Sequence, residues 1–300
     1  MASGESLHEY FAHPAAMTAA DGYAKQFDDL PEEIAQLCAV VQGALIHRDW
    51  APLYGVAFSD DRKPEVQIRP VREMLERIFA IDADPLKIAR APERRLFAVC
   101  RHFALLLCAI LRHRGVPART RVGFGAYFTP GKFEDHWVCE YWNADEARWV
   151  LVDPQLDASQ LTVLKPDFSP LDVPRHRFII AGDAWQMCRS GRAKPDRFGI
   201  WDMRGMWFIR GNVVRDFAAL NRVELLPWDG WGALMRGPEA DTAASADENA
   251  FVDRIAGLSM AGDGAFAAIR AIYEDDDRLR VPCVIDSYTD RGPQRVTIGT

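Results

Sequence analysis

Three residues of the types used in thiol catalysis occur in the middle of the chain: Cys100, His136 and Asp153. A cysteine attacks as its thiolate, and a histidine can take the thiol proton near neutral pH and later give it to a leaving group. A carboxylate can hold the imidazole in one tautomer and support its charged form. Together these residue types predict nucleophilic attack on a carbonyl carbon.

Cys100 lies at or near the start of a predicted buried helix. The segment 96–114 is apolar on nearly every side from Phe103 to Leu111, which is typical of a buried helix. A basic last turn, followed by Gly115 and Pro117, is a typical helix end. The unpaired N–H groups and the dipole at a helix N-terminus stabilise a thiolate, so this position favours Cys100 as a nucleophile.

Strands are predicted for the segments that carry the other two residues. Residues 136–142 are rich in aromatic and branched side chains, and residues 148–152 form a second such run that ends at Asp153. Two antiparallel strands joined by a turn would bring His136 and Asp153 to the same sheet edge. With a further strand in 118–128 and helices in 31–48 and 70–80, the chain is predicted to be α+β, with an antiparallel sheet on one central helix.

The sequence runs around these residues resemble the transglutaminase-like superfamily of thiol enzymes. The runs are CRHFALLLCAILRHRGVPARTRVGFG, DHWVCEYW and RWVLVDPQ, within residues 96–155. In that family a cysteine begins the core helix, a G-[IV]-P-A-R turn follows, and then come a histidine beside a tryptophan and a W-V…D-P element. The matching residues here are Cys100, Gly115, Val116, Pro117, Ala118, Arg119, His136, Trp137, Trp149, Val150, Asp153 and Pro154.

The resemblance implies a papain-like fold with Cys100 as nucleophile, His136 as base and acid, and Asp153 as the residue that orients the histidine. It implies acyl transfer on an amide, ester or thioester through a Cys100 thioester, by hydrolysis or transamidation of a peptide or small molecule. Some family members only bind, so a non-catalytic ligand- or peptide-binding protein is one alternative. An enzyme that forms amides from a carrier-bound acyl thioester is another.

The oxyanion of such a reaction needs hydrogen-bond donors. The main-chain N–H of Cys100 is the expected first donor. The second donor in the family is often an upstream Trp or Gln, which makes Trp50 and Gln67 candidates. The sequence has no paired C-x-x-C zinc element and no acidic loop with calcium-ligand spacing, so neither a metal nor another cofactor is expected.

The remaining candidate residues have plainer interpretations. His102 lies two residues after Cys100 on the predicted helix, about 200° around it, so it is interpreted as structural or surface. The other cysteines are interpreted as packing residues: Cys38, Cys108, Cys139, Cys188 and Cys283.

Composition excludes several protein classes. The chain has 300 residues, 36 Lys+Arg, 43 Asp+Glu and a formal net charge of −7, which is typical of a globular protein and disfavours general nucleic-acid binding. No stretch approaches the roughly 18 apolar residues of a membrane span, and the N-terminus has no secretory signal pattern. The scattered cysteines favour a reducing, cytoplasmic location. The oligomeric state stays open.

Residues 1–235 are expected to form the catalytic domain, 236–250 a linker, and 251–300 a C-terminal appendage. Residues 174–231 hold five tryptophans, which would either wall a substrate cleft or form a second core layer. Charge is uneven, with a net +8 over residues 86–121 and −9 over 224–277. The basic stretch would either create a positive field near Cys100 or, as we favour, pair with the acidic stretch.

Overall fold

The structure is a computed structural model that describes residues 6–238, 245–289 and 292–299. The chain divides into two compact units. The first unit is Met1–Thr120 with Trp137–Val173, and the second is Arg121–His136 with Pro174–Thr300. Both units mix helices and strands, which confirms the predicted α+β class. Part of the predicted linker, residues 239–244, lies outside the described residues.

The first unit contains five α-helices and three complete strands among its described residues. Two further strands, Ala118–Gly125 and Phe133–Asn143, have residues in both units. In chain order the elements are α1 (Leu7–Ala12), α2 (Ile34–Ala44), β1 (Leu45–His47), α3 (Val71–Ile81), β2 (Leu96–Ala98), α4 (Cys100–His113), β3 (Ala118–Gly125), β4 (Phe133–Asn143), β5 (Arg148–Val152) and α5 (Ala158–Leu164).

Helix α4 is the buried helix that the sequence predicts. Nearly all of its side chains are buried, and Gly115, with φ of 71°, follows its end. Near that end, Arg112 Nε donates to the Ala118 carbonyl at 2.8 Å, which ties α4 to the first residue of β3. The prediction of helix for 70–80 is likewise confirmed by α3.

Two of the helix predictions extend too far. Residues 45–47 and 96–98 form the short parallel pair β1–β2, with Leu45 opposite Leu96 and His47 opposite Ala98. The predicted helix at 31–48 therefore ends at Ala44, and the one at 96–114 begins only at Cys100. Both strand segments are short apolar runs, and pairing between distant residues overrides their helical spacing.

The predicted hairpin between β4 and β5 is confirmed. Its antiparallel register runs from Cys139 opposite Val152 to Asn143 opposite Arg148. In the turn, Asn143 Oδ1 accepts main-chain N–H groups, and Ala147 has φ of 50°. The hairpin ends immediately before Asp153.

The elements of the second unit are, in chain order, β6 (Phe178–Ile180), α6 (Ala181–Arg189), β7 (Phe198–Ile200), β8 (Met203–Arg204), α7 (Met206–Ala219), β9 (Asp229–Gly230), α8 (Ala246–Met260), α9 (Phe266–Asp275), β10 (Val284–Thr289) and β11 (Gly292–Thr297). The larger sheet has the strand order β6–β3–β4–β7–β8, with β5 paired to β4, and a smaller sheet has the order β11–β10–β9. Strand β7 pairs parallel with β4, at Phe133 opposite Phe198, so the expectation of an antiparallel sheet is wrong there.

The tryptophans of residues 174–231 differ in their surroundings. Trp185 is buried, and its indole N–H donates to Asp253 Oδ1 at 2.6 Å. Trp231 is buried as well, and its N–H donates to the Leu279 carbonyl. These two belong to the core of the second unit, whereas Trp201 is 56% exposed.

Two arginines of the basic stretch bind partners within the first unit. Arg94 pairs with Asp82, and Arg114 donates to the carbonyls of Phe27, Leu30 and Pro31. The expected pairing with residues 224–277 is therefore wrong for Arg94 and Arg114. A guanidinium presents five donors, which suits it to gathering carbonyl oxygens where loops meet.

Candidate active site

Cys100 is the first residue of α4, directly after β2 and the extended residue Val99. Cys100 is buried, with only 7% of its surface exposed. At this position the first-turn N–H groups have no partner within the helix, and the helix dipole is positive. Cys100 therefore lies at the helix N-terminus that the sequence predicts for it.

His102 holds the first turn of α4 together. Its Nδ1 accepts the main-chain N–H of Val99 at 3.2 Å, and its Nε2 donates to the Ile68 carbonyl at 2.9 Å. These two bonds require the neutral ring with the proton on Nε2. Burial and the neighbouring Arg101 charge lower the pKa of His102 to about 3. The structural interpretation of this histidine is thus supported, and it does not serve as a base at neutral pH.

The segment before α3 is bound to the same helix turn. Arg101 Nη1 donates to the Arg69 carbonyl at 2.6 Å, next to the bond between His102 and Ile68. Gln67, one candidate oxyanion donor, directly precedes these two carbonyl groups. First-turn side chains of α4 therefore fix the main chain on which Gln67 lies.

Trp50, the other candidate donor, follows β1. Strands β1 and β2 are parallel, and Arg48 N–H donates to the Ala98 carbonyl at 3.0 Å. Trp50 lies three residues beyond β1, and Cys100 lies two residues beyond β2. Because β1 and β2 run in the same direction, Trp50 and Cys100 both follow the C-terminal end of the strand pair.

Asp153 follows β5 and is buried. Its N–H donates to the Pro170 carbonyl at 2.8 Å, and its Oδ1 accepts the Gln155 N–H at 3.1 Å. The carboxyl group also affects Cys38: burial and, secondly, the Asp153 charge raise the pKa of Cys38 to about 12. Cys38 therefore stays a protonated thiol, as expected of a packing cysteine.

The other cysteines fit the packing interpretation only in part. Cys108 and Cys139 are fully buried, as expected, and burial together with the neighbouring Cys108 raises the pKa of Cys139. Cys188 is half-buried and Cys283 is exposed. The packing interpretation is therefore wrong for Cys283.

His136 lies in the second unit, where its ring is surrounded by aromatic side chains. Its centroid is 4.9 Å from that of Phe128 and 5.9 Å from that of Tyr127, both in edge-on geometry, and 6.3 Å from that of Phe178. Edge-on aromatic contacts restrict how a ring can rotate. His136 is itself buried, with these three rings around its imidazole.

The residue before His136 is part of a polar network on α7. Asn212 Nδ2 donates to Asp135 Oδ1 at 2.6 Å, and Arg215 Nη1 donates to Asn212 Oδ1 at 3.0 Å. Burial raises the pKa of Asp135, against the opposing effects of Arg215, Asn212 and His136. This network fixes the start of β4 within the second unit.

The predicted triad is divided between the two units. Cys100 and Asp153 belong to the first, together with Trp50 and Gln67, and His136 is the last residue before the boundary at Trp137. Each of the three is buried and lies on a strand or at the end of an element. Their combination in one catalytic site stays a prediction.

Sequence reasoning missed a polar network beside Asp153. Its side chains are Gln155, Gln160, Tyr54 and Asp157. One signal was present, because Asp157 followed three residues later by Gln160 is a helix N-terminus pattern. Nothing in the sequence pointed to Tyr54, which is 103 residues away from Asp157.

The described residues contain no group of three or more His, Cys, Asp or Glu side chains arranged to hold a metal ion. Among the same residues, no helix has the length and apolar character of a membrane span.

Residues 73–154 match the family model of the transglutaminase-like superfamily. The match includes Cys100, His136 and Asp153, and it confirms the resemblance seen in residues 96–155. Residues 73–154 thus resemble the core of that superfamily.

One solved structure, of a candidate cysteine protease from Cytophaga hutchinsonii, is similar with a TM-score of 0.31 and 18% sequence identity. The similar region covers 58% of this chain and 47% of that chain, so this chain spans about half of that protein's length. Among curated proteins, none matches the chain significantly.

Proposed function

We propose that the protein is a cysteine-dependent acyltransferase or hydrolase, with Cys100 as nucleophile, His136 as base and acid, and Asp153 as the group that orients His136. The observation that carries the proposal is the position of Cys100 as the first residue of α4, inside the segment that matches the transglutaminase-like superfamily. A helix N-terminus supplies both a positive dipole and free N–H donors to a thiolate and to a developing oxyanion.

The proposed reaction has two halves. His136 takes the Cys100 proton, and the thiolate attacks the carbonyl carbon of the substrate. The tetrahedral oxyanion then collapses, and His136 returns the proton to the leaving amine, alcohol or thiol, which leaves an acyl thioester on Cys100. Water or an amine next attacks the thioester while His136 accepts its proton, and that proton restores the Cys100 thiol.

The β4–β5 register supports the pairing of His136 with Asp153. Cys139 is opposite Val152, so the next residues along the two strands are Val138 and Asp153. His136 lies two residues before Val138 on the same strand, and residues two apart on a strand share a face. This spacing fits a carboxylate that reaches a ring on that face.

The main-chain N–H of Cys100 is the proposed first oxyanion donor. Trp50 and Gln67 are the candidates for the second donor, because Trp50 follows and Gln67 precedes main chain that is bound to the β2–α4 junction.

The substrate is proposed to be an amide, ester or thioester of a peptide or small molecule. No part is proposed for nucleic acid, for a membrane, or for a metal or other cofactor. A reduced nucleophile of this kind fits the cytoplasm.

Acyl-enzyme trapping tests the proposal. The protein is incubated with p-nitrophenyl acetate and with an acetyl thioester of N-acetylcysteamine, quenched in acid, and digested for mass spectrometry. The expected result is an acetyl group on Cys100, formed at least about tenfold more slowly in His136→Ala. Cys283 is exposed and serves as the comparison cysteine in the same sample.

A second measurement covers the case in which neither acetyl donor suits the site. Iodoacetamide labelling near pH 6 is compared between Cys100 and Cys283, in the wild type and in His136→Ala. Activation predicts faster labelling of Cys100, with the advantage lost in the variant. Cys100 that is neither acetylated nor labelled faster than Cys283 would overturn the proposal and favour the non-catalytic binding protein.

A further inference from the structure

The Asp153 carboxyl group is connected to a buried glutamine pair. The main-chain N–H of Gln155 donates to Asp153 Oδ1, and Gln155 is only 2% exposed. The side-chain Nε2 of Gln155 donates to Gln160 Oε1 at 3.2 Å. Gln155 therefore binds the carboxylate through its main chain and Gln160 through its side chain.

Gln160 belongs to a closed ring of hydrogen bonds with two other residues. Its Nε2 donates to the Tyr54 hydroxyl at 3.2 Å, and its main-chain N–H donates to Asp157 Oδ1 at 3.0 Å. The Tyr54 hydroxyl donates in turn to Asp157 Oδ2 at 2.7 Å. Each member of the ring is thus held by both of the others.

The Tyr54 hydroxyl keeps its proton at neutral pH. Burial, together with the bond to Asp157, raises the pKa of Tyr54 well above its usual range. The hydroxyl therefore remains a donor to Asp157.

The ring leads back to the turn that carries Trp50. Tyr54 is the last residue of the 3-10 turn Ala51–Tyr54, and Trp50 caps the start of that turn. A continuous series of bonds thus runs from Asp153 through Gln155 and Gln160 to the turn after Trp50. This turn follows β1, the parallel neighbour of the strand that precedes Cys100.

Gln155 is not explained by stability alone. Its Oε1 is buried and has no hydrogen-bond partner among the described residues. An unsatisfied buried amide oxygen costs stability, and an apolar side chain of similar length would avoid that cost. A positioning role accounts for the amide at this place.

We infer that Gln155 and Gln160 are positioning residues, which hold the Asp153 carboxylate in fixed relation to the Trp50–Tyr54 turn. The inference rests on the proposed function, because it assigns to Asp153 the orientation of His136. Neither glutamine touches the substrate in this scheme. Each acts on the rate through Asp153.

A double-mutant cycle tests the inference. The rate of Cys100 labelling by iodoacetamide is measured at neutral pH in the wild type, Gln155→Met, Asp153→Asn and the double variant. If Gln155 acts through Asp153, Gln155→Met lowers the rate about tenfold in the wild type but less than about twofold in the Asp153→Asn background. A merely structural role lowers the rate by the same factor in both backgrounds.

Gln42→Met is the matched control. Gln42 Nε2 donates to the carbonyls of Pro154 and Leu156, so it supports the same segment without belonging to the bonded series. Its replacement is expected to lower the melting temperature but to change the labelling rate by less than about twofold.

The outcomes separate the inference from the function on which it rests. If Asp153→Asn leaves the labelling rate unchanged, the proposed role of Asp153 fails. If Asp153→Asn lowers the rate while Gln155→Met has no effect or an equal effect in both backgrounds, the positioning role alone is overturned. Tyr54→Phe, which removes only the hydroxyl from the ring, is expected to act in the same direction as Gln155→Met but more weakly.

Discussion

The main-chain N–H of Gln155 lies 3.1 Å from Oδ1 of Asp153 and donates a hydrogen bond to it. The carboxylate is therefore oriented by its own chain, two residues further on. Such a turn is favoured by aspartate, and Pro154 between the two residues restricts the backbone of Asp153 to extended conformations. The sequence D-P-Q thus builds a fixed carboxylate at the end of β5.

The first prediction concerns the charge of this group. Asp153→Asn retains an oxygen that can accept the Gln155 N–H, so the fold is expected to be kept. The loss of charge removes support for the imidazolium, and acylation of Cys100 is expected to fall by about 100-fold or more. Acetylation rates by mass spectrometry check this, with Asp172→Asn, a change in an exposed pair with Arg148, as control. An unchanged rate would contradict the role of Asp153.

The second prediction concerns the oxyanion. Trp50→Phe removes the indole N–H, and Gln67→Met removes the side-chain amide donor, while both keep similar bulk. The variant that loses the true second donor is expected to acylate Cys100 about 100-fold more slowly, with little change in substrate binding. The other variant is expected to stay within about twofold of the wild type. If both variants acylate Cys100 at the wild-type rate, neither side chain is the donor.

The sequence was informative wherever local pattern and local chemistry agree. The end of α4 shortly before Gly115 and the β4–β5 hairpin follow from spacing and turn residues alone. The triad candidates followed from residue type and order, and the family model covers all three of them. These features depend on residues that are near one another in the chain.

Features that depend on distant residues were not predictable. The helical spacing of 96–98 gave no sign of the pairing with β1, about fifty residues earlier. Arg101 and Arg112 of α4 are fully buried and reach main-chain carbonyls, which their residue type does not predict. The bond between Tyr54 and Asp157 likewise joins elements whose contact no local pattern encodes.

The third prediction concerns the packing of α6 against α8 in the second unit. A Cβ at Gly182 would lie 2.4 Å from Ser259 Oγ and 2.7 Å from the Ala256 carbonyl, closer than atoms can pack. Gly182→Ala is therefore expected to destabilise the protein by about 1–3 kcal/mol. Urea unfolding measures this change.

Gly257→Ala is the matched control for that substitution. Gly257 lies inside α8, and its added Cβ would make only an ordinary contact, 3.7 Å from Gln186 Nε2. Because alanine favours a helix interior over glycine, this variant is expected to be up to about 1 kcal/mol more stable than the wild type. Equal stability of the two variants would contradict the close approach at Gly182.

The last prediction concerns His102 and acid. The pKa of His102 is about 3 in the folded protein, because the ring is buried beside Arg101, whereas an unfolded histidine has a pKa of about 6.5. Below about pH 6.5 the unfolded chain binds a proton that the folded chain does not. The free energy of unfolding therefore falls as the pH drops from about 6.5 toward 3, and His102 contributes no pH dependence above that range.

His102→Gln removes this titration and keeps an acceptor for the Val99 N–H, since glutamine is a usual residue at this helix position. Between about pH 7.5 and pH 5, the wild type is expected to lose about 2 kcal/mol more stability than the variant. Urea unfolding at the two pH values checks this difference, with His176→Gln, a change at an exposed histidine, as control. If His102→Gln loses as much stability as the wild type over the same interval, His102 is protonated in the folded protein. In that case a neutral His102 ring does not hold the first turn of α4, which begins at Cys100.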